Sequence, residues 1–230
     1  MVSNNSFAQV GLAIRSAGLV PRGALRLDEA ERHGPLAECA TIVLIGVAGR
    51  QGWSAFAGSP ERLDGAPHPL DRWSQRVIGA LAKALGCRAL YPFGGPPYWP
   101  FPRWAMRAEP LHVSPLGMLI HPDYGLWHSY RGALAFSEAL QIPALESRPS
   151  PCESCAARPC LKACPVGAFS SDGYDAARCA AHLRSGTGRD CMEGGCLARR
   201  ACPIGVEFAQ SEEQARFHMK AFLAAREGGG

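Results

Sequence analysis

The chain has 230 residues, of which 47% are hydrophobic and 19% are charged, and its formal net charge is +4. These values exclude an intrinsically disordered chain and predict one medium-sized domain together with a small one. The small net charge does not predict a dedicated nucleic-acid-binding protein, in which lysine and arginine are concentrated on one face. We therefore expect no nucleic-acid partner.

The sequence contains no segment that predicts membrane insertion or export. No apolar run approaches the ~18 residues of a transmembrane helix. The start, MVSNNSFAQVGLAIRSAG, lacks the basic region and the long apolar region of a signal peptide. We expect no membrane partner and a location in the reducing cytoplasm. Cys39 and Cys87 are isolated among apolar residues, and we interpret both as small buried side chains.

The first elements are predicted from their apolar patterns. Residues 7–17 form a short amphipathic helix, and residues 23–27 can form a short strand. The β-branched run TIVLIGV at residues 41–47 predicts a buried central strand. The glycine-rich GRQGW after it lacks both G-x-G-x-x-G and a G-K-[ST] ending, so a phosphate-binding loop is not indicated.

The clearest helix covers residues 69–85. Asp71 is a good candidate N-cap, and Gly86 stands where a helix-ending glycine is expected. An apolar stripe with a spacing of four residues runs along it, formed by Trp73, Val77, Leu81 and Leu85.

Residues 91–104, YPFGGPPYWPFPRW, contain five prolines and six aromatic residues. Proline at this density predicts a rigid irregular loop that is neither helix nor paired strand. Aromatic rings on such a loop favour a lid or wall against a large flat ligand, because ligand pockets are usually lined with aromatic side chains. The alternative is a surface loop whose rings pack on one another.

Residues 126–136 alternate between two sets of side chains, which predicts a long strand. A loop at Ile142 and Pro143 follows, and residues 208–227 predict a closing amphipathic helix. His121, His128 and Arg131 lie among apolar residues in this region. A single histidine usually has a structural role, but several polar groups beside an aromatic loop are a candidate binding site.

Eight of the ten cysteines are concentrated in one stretch near the C-terminus, which is the number of thiolates that two [4Fe–4S] clusters need. In two-cluster ferredoxins the cysteine before a proline ligates the other cluster. Cys164 and Cys202 precede prolines. By that rule one cluster is held by Cys152, Cys155, Cys160 and Cys202. The second cluster is held by Cys164, Cys179, Cys191 and Cys196.

Two alternatives compete with iron–sulfur binding. The first run, C-x2-C-x4-C-x3-C-P, is longer than the usual ferredoxin run. Zinc sites usually pair two short C-x2-C hooks, and only one such hook is present. A disulfide framework needs an oxidising compartment. The sequence favours iron–sulfur clusters over both.

Two stretches resemble known families. HPDYGLWHSYRGAL, at residues 121–134, resembles the signature of the cytosolic cobalamin-processing family (the MMACHC or CblC type). The cysteine region is similar to that of epoxyqueuosine reductase and reductive dehalogenases. The resemblances imply an α+β protein, with a nitroreductase-like cobalamin-binding α/β domain over residues 1–147. A small ferredoxin-like iron–sulfur domain over residues 148–206 and a C-terminal helix and tail over residues 207–230 would follow.

The resemblances also imply a function. They point to an iron–sulfur oxidoreductase that binds a corrinoid, takes electrons from a donor protein and reduces the corrinoid with removal of its upper cobalt ligand. Cobalamin would lie near His121, Tyr124, Trp127 and Arg131, with the loop at residues 91–104 over one face; flavin is the alternative cofactor. The alternative functions are a reductase of a small organic or tRNA-linked substrate and a plain electron-transfer ferredoxin. No catalytic residue is assigned.

Overall fold

The structure is a computed structural model that describes residues 6–171 and 173–227. The strands are β1 (Val20–Arg26), β2 (Thr41–Ala48), β3 (Arg88–Leu90), β4 (His112–Val113), β5 (Leu119–Ile120), β6 (His128–Phe136), β7 (Phe169–Ser170) and β8 (Gly173–Tyr174). The helices are α1 (Phe7–Ser16), α2 (Trp53–Ala57), α3 (Pro60–Leu63), α4 (Pro69–Leu85), α5 (Phe101–Ala108), α6 (Pro159–Lys162), α7 (Ala176–Arg184), α8 (Arg189–Gly194), α9 (Leu197–Arg200) and α10 (Glu212–Glu227). Short 3-10 turns cover Glu29–Glu31, Gly34–Leu36, Gly186–Gly188 and Val206–Phe208.

The chain divides into two compact units. The first unit contains Met1–Pro110 and His128–Ser147, and the second contains Leu111–Trp127 and Arg148–Gly230. One junction between the units therefore lies after Ser147. Residues 111–127 and the C-terminal helix α10 both belong to the unit that carries the eight clustered cysteines.

The first unit is built on a four-stranded antiparallel sheet in the order β1-β2-β6-β3. The prediction of a buried central strand at residues 41–47 is confirmed, because β2 pairs on both sides and Ile42 to Ile45 have no exposed surface. Helices α4 and α5 pack against β6 and β1 respectively. This is a mixed α and β fold.

Helix α4 confirms the predicted range and its end, since Gly86 adopts a left-handed φ of +66° after Leu85. The predicted N-cap is wrong. His68 occupies the cap position without a side-chain hydrogen bond, and the helix starts with Pro69. Proline is favoured there because its missing N–H group needs no partner in the first turn. The Asp71 carboxylate is therefore free to bind an arginine of β6.

Two other predicted ranges are corrected. Strand β6 begins at His128 rather than at residue 126, because the preceding residues form a turn in the second unit. The aromatic loop ends at Pro100, and helix α5 begins at Phe101. Phe101, Trp104 and Ala105 share the buried face of that short helix. A proline in the first turn does not prevent helix formation.

The second unit consists mainly of short helices and turns around the cysteines. Helix α10 packs against α7 and α8, and α6 packs against α9. Hairpins β4–β5 and β7–β8 supply the paired strands. Within residues 6–171 and 173–227, no helix is both long enough and apolar enough to cross a membrane.

Candidate metal centres

The first group of thiols, here called the first quartet, contains Cys152, Cys155, Cys160 and Cys202. The Cys152 thiol interacts electrostatically with the other three, and Cys202 does so with Cys155 and Cys160. All four line one small, partly enclosed cavity of about 20 Å³. The apolar walls come from Pro115, Ile120, Pro151, Pro159, Pro203 and Ile204.

The second quartet contains Cys164, Cys179, Cys191 and Cys196. The Cys191 thiol interacts electrostatically with Cys164 and Cys179, and Cys196 interacts with Cys179 and Cys191. Cys179 lies on α7, Cys191 lies on α8 and Cys196 is the N-cap of α9, so the packing of three short helices assembles the group.

The two quartets cross over in sequence. Cys164 closes the first cysteine run but lies in the second quartet, whereas Cys202 closes the second run and lies in the first quartet. Helix α6 ends at Lys162, so Cys164 lies beyond the helix that carries Cys160. The structure thus brings together the same two sets of four that the Cys-Pro rule groups. Their role as iron ligands stays a prediction.

The chemistry of both quartets fits a multi-iron cluster. All ten cysteines are free thiols, so none of them is in a disulfide. Across the described part of the chain, no three His, Cys, Asp or Glu side chains converge as ligands of a single metal ion. Burial raises the pKa values of Cys152, Cys191, Cys196 and Cys202. Buried neighbouring thiolates are therefore costly unless a metal compensates their charge.

Backbone amides point at several of the sulfur atoms. The N–H of Ala168 donates to Cys164 Sγ at 3.3 Å. The backbone amide of Leu197 lowers the pKa of Cys191, those of Arg199 and Ala198 lower the pKa of Cys196, and that of Ile204 lowers the pKa of Cys202, each against the effect of burial. Hydrogen bonds to thiolate sulfur orient the ligands of iron–sulfur clusters and adjust the reduction potential of the cluster.

Two side chains that the sequence did not single out also belong to the second quartet. Burial and the neighbouring Cys179 raise the pKa of Tyr174, and its ring stacks on Phe169 with centroids 4.9 Å apart. The Arg199 guanidinium lies within electrostatic range of Cys196. Neither residue has a recognisable spacing from the cysteines, so no sequence signal could have identified them.

Three of the four residues predicted to contact cobalamin lie in the second unit, in the turn before β6. His121 is 6% exposed, and its Nδ1 accepts hydrogen bonds from the N–H groups of Asp123 at 3.0 Å and Tyr124 at 3.3 Å. The ring of Tyr124 stacks on His121 and meets the edge of Phe208. Trp127 is 6% exposed and stacks under the guanidinium of Arg199. These contacts give the turn a packing role.

Gly125 is required in this turn because the backbone there lies against another segment of the chain. Gly125 has a φ of +56°, and a Cβ atom there would lie 1.9 Å from the carbonyl oxygen of Ile204. Gly205 has a φ of +68°, and a Cβ atom there would lie 2.4 Å from the carbonyl carbon of Tyr124. Two glycines therefore let the turn dock directly against the Cys202–Pro203 turn, backbone on backbone.

The fourth predicted residue, Arg131, lies in the first unit. Its Nε donates to Ser74 Oγ at 3.1 Å and its Nη2 donates to Asp71 Oδ1 at 2.5 Å, both on α4. The guanidinium also lies over the ring of Phe93. Burial lowers the pKa of Arg131, and Asp71 opposes that shift. The four predicted residues thus divide between the two units, and their contact with cobalamin stays a prediction.

A buried ionic network in the first unit was not predicted from the sequence. Arg22 is fully buried and pairs with Glu109 at 2.8 Å. The Tyr130 hydroxyl donates to the same carboxylate, and Arg22 lies 4.9 Å from the centre of the Tyr130 ring. Burial raises the pKa of Tyr130, so the hydroxyl stays protonated and remains a donor. The three residues are far apart in sequence, which is why no motif reveals them.

The two isolated cysteines line a separate cavity of about 550 Å³ in the first unit. Cys39 is buried and Cys87 is half-buried. Burial, Glu138 and Cys39 raise the pKa of Cys87 to about 12, and burial also raises the pKa of Cys39. Both are therefore neutral thiols near neutral pH, and the prediction of small buried side chains is confirmed for Cys39.

Comparison with known proteins identifies the fold. No protein-family model and no curated protein sequence matches the chain. Among solved structures, epoxyqueuosine reductase from Streptococcus thermophilus shares 16% identity with a TM-score of 0.51, covering 86% of this chain and 65% of its own. A selenomethionine-labelled epoxyqueuosine reductase gives a TM-score of 0.56 at 14% identity, covering 91% of this chain and 68% of its own. At these identities the likeness is one of fold, and the chain spans about two thirds of those proteins.

A third structure corrects the expectation of no nucleic-acid partner. It is an epoxyqueuosine reductase with a tRNA-Tyr epoxyqueuosine-modified tRNA stem loop, with a TM-score of 0.50 at 15% identity over 90% of this chain and 69% of its own. The expectation is wrong because it was drawn from net charge. A net charge averages the whole surface, whereas contacts with phosphate need only a local group of basic side chains.

Proposed function

We propose that this chain is an iron–sulfur oxidoreductase of the epoxyqueuosine reductase type that reduces a tRNA-linked substrate. The observation that carries the proposal is the assembly of eight free thiols into two quartets within a chain of that fold. The first quartet would hold one [4Fe–4S] cluster and the second quartet the other. Such clusters supply one-electron transfer chemistry when bound.

The residues around the quartets have defined roles in this proposal. The apolar prolines and Ile120 limit water at the first quartet. The amides of Ala168, Leu197 and Ile204 orient the sulfur atoms and offset their negative charge. The free thiols disfavour a disulfide framework.

The substrate class rests on the structural likeness. One related structure holds an epoxyqueuosine-modified stem loop. This favours the tRNA-linked alternative over removal of an upper cobalt ligand as the reaction. Cobalamin or flavin binding remains a prediction from the sequence resemblance, because the four residues predicted to contact the cofactor are engaged within their own units. A titration of the purified protein with each cofactor, followed by absorbance, tests it.

Cluster binding is tested by anaerobic purification with assay of iron and acid-labile sulfide. We expect roughly eight irons per chain. Cys164→Ser and Cys202→Ser should each retain about half of the iron, since each removes a ligand of a different cluster. The control Cys39→Ser should retain all of it. Bound zinc, or thiols joined in disulfides, would contradict the proposal.

The reaction is tested with an epoxyqueuosine-modified tRNA stem loop, dithionite as reductant, and protein of known iron content, with and without cobalamin. Loss of the epoxide oxygen takes up two electrons and two protons and releases one water molecule. Mass spectrometry of the nucleoside should show the loss of one oxygen atom. If the iron-replete protein leaves the nucleoside intact under all of these conditions, the proposed substrate class is refuted. The proposal that the quartets bind iron–sulfur clusters is not affected by that result.

A further inference from the structure

The turn at residues 121–125 is closed on the ring of its first residue. His121 is 6% exposed, and its Nδ1 accepts hydrogen bonds from the N–H groups of Asp123 at 3.0 Å and Tyr124 at 3.3 Å. The backbones of His121 and Gly125 exchange two more hydrogen bonds, each of 2.9 Å. Pro122 has no N–H group, so every N–H of the turn is used, and two of them depend on one ring nitrogen.

These contacts fix the proton on the His121 ring. A ring nitrogen that accepts hydrogen bonds carries no proton, so the proton of the neutral imidazole lies on Nε2. Protonation of Nδ1 would convert the acceptor into a donor, and the N–H groups of Asp123 and Tyr124 would both lose their partner. The turn therefore requires either a neutral His121 or another acceptor at the same place.

The charged and titratable groups around His121 do not remove this requirement. The Asp123 carboxylate lies 3.9 Å from Nδ1 and favours its protonation, but that carboxylate is exposed. Arg148 also donates to both of its oxygen atoms, at 2.8 and 2.9 Å, and offsets its charge. The Tyr124 ring stacks on the imidazole with centroids 4.5 Å apart.

His112, on the neighbouring strand β4, has the opposite dependence on protonation. Its Nε2 lies 2.8 Å from the carbonyl oxygen of Arg148. A carbonyl oxygen only accepts, so this ring nitrogen carries a proton in the neutral and in the charged imidazole alike. Acidification therefore leaves the hydrogen bond of His112 intact, whereas it breaks both hydrogen bonds to Nδ1 of His121.

The turn is in contact with the segment that supplies Cys202 to the first quartet. A Cβ atom at Gly125 would lie 1.9 Å from the carbonyl oxygen of Ile204, so the two backbones touch. Ile204 lines the same cavity as Cys202, and so does Ile120, the residue before His121. A change in the shape of the turn is therefore transmitted directly to the wall of the first quartet.

We infer that His121 is a positioning residue for the first quartet, because its unprotonated Nδ1 holds the turn that fixes the Cys202–Pro203 segment. This inference rests on the proposed function, since it is measured through the cluster that the first quartet would hold. Its consequence is that retention of this cluster depends on pH through a residue outside the quartet.

The test compares variants purified anaerobically, by iron assay and by electron paramagnetic resonance of the dithionite-reduced protein. Cys202→Ser identifies the signal of the first quartet by its loss. His121→Phe keeps a ring beside Tyr124 but removes the acceptor, and it should lose that signal and about half of the roughly eight irons. His121→Asn keeps an acceptor oxygen close to the place of Nδ1 and should retain both.

Two further variants separate the acceptor from other properties of the side chain. His121→Gln carries its amide oxygen one bond farther from the backbone than His121→Asn, so it should resemble His121→Phe. His112→Gln keeps an N–H donor for the carbonyl oxygen of Arg148 and should retain all of the iron.

A pH series gives the second measurement. The hydrogen bonds to Nδ1 stabilise the neutral ring, so their contribution is complete above the ordinary histidine pKa of about 6.5 and is lost as the pH falls. Between pH 7.5 and pH 5 the signal of the first quartet should weaken in the wild-type protein and persist in His121→Asn. The signal of the second quartet is the internal reference.

An iron-replete His121→Phe with the wild-type signal of the first quartet would overturn the inference alone. The same holds if acidification weakens that signal equally in the wild-type protein and in His121→Asn. If His121→Phe does not fold, this comparison across pH decides by itself. A wild-type protein without iron would overturn the proposed function and the inference together.

Discussion

Gly125 offers the sharpest test of how the turn at residues 121–127 supports the first quartet. In Gly125→Ala the new Cβ would lie 1.9 Å from the carbonyl oxygen of Ile204, two residues after Cys202. Neither backbone segment can move without moving the other. We therefore expect the substitution to displace the Cys202–Pro203 turn as well as to destabilise the second unit.

The expected loss of folding stability in Gly125→Ala has two parts. A side chain at a left-handed φ costs about 1–2 kcal/mol. Forcing an extra carbon into a packed interface costs typically about 1–3 kcal/mol. The sum is about 2–5 kcal/mol, which in a protein of this size lowers the thermal midpoint by roughly 4–20 °C. Loss of the cluster in the first quartet should accompany it, with about half of the iron retained, since each cluster holds four of the roughly eight irons.

Gly117 supplies the matched control in the same unit. Its φ is +74°, but a Cβ atom there would meet nothing within 4 Å. Gly117→Ala should therefore cost only the backbone strain of about 1–2 kcal/mol and should keep all of the iron. Thermal unfolding and iron assay, both under anaerobic conditions, measure the difference. Equal midpoints and equal iron content in the two variants would refute the docking argument.

Two other expectations concern the first unit. Arg22→Met leaves the buried Glu109 carboxylate without its cation and should destabilise the protein by about 3–5 kcal/mol. The exposed Arg103→Met should change the unfolding free energy by less than about 0.5 kcal/mol, and similar values for the two variants would contradict the role of the ion pair. The second expectation concerns Cys87, whose raised pKa of about 12 keeps it a thiol at neutral pH. Only the thiolate reacts, so alkylation of Cys87 in Cys39→Ser, followed by mass spectrometry, should keep accelerating between pH 8 and pH 10.5. A rate that levels off near pH 9, as for an unperturbed thiol, would show that burial does not hold the proton.

The strands and the long helix of the first unit could be predicted because their patterns are local. The run at residues 41–47 is apolar on both faces, so it could only be an inner strand. The end of helix α4 could be predicted from Gly86, which adopts the left-handed conformation that terminates helices. The start of the helix was misplaced because aspartate is a favourable N-cap residue. In the structure the Asp71 carboxylate instead accepts a hydrogen bond from Arg131, sixty residues away in sequence. A partner at that distance leaves no trace in a local pattern.

In the candidate site, too, some features could be predicted from the sequence and others depend on contacts between distant segments. The grouping of eight cysteines follows from a rule of cluster chemistry, namely that the cysteine before a proline reaches the other cluster. The structure brings the same sets together. The resemblance at residues 121–134 implies one cofactor site, but the chain leaves one unit and enters the other between Trp127 and His128. A local sequence pattern cannot detect such a junction, because the units are defined by which segments pack together in space.

The sequence by itself determined which sulfur atoms gather, because thiol count, spacing and the Cys-Pro pairs are properties of the chain. Only the tertiary structure decided what surrounds those sulfur atoms. Tyr174, Arg199 and the docking of Gly125 against Ile204 depend on helices and turns meeting in space. Hydrogen bonds, buried charge and close backbone contact act over a few ångströms, whatever the separation along the chain.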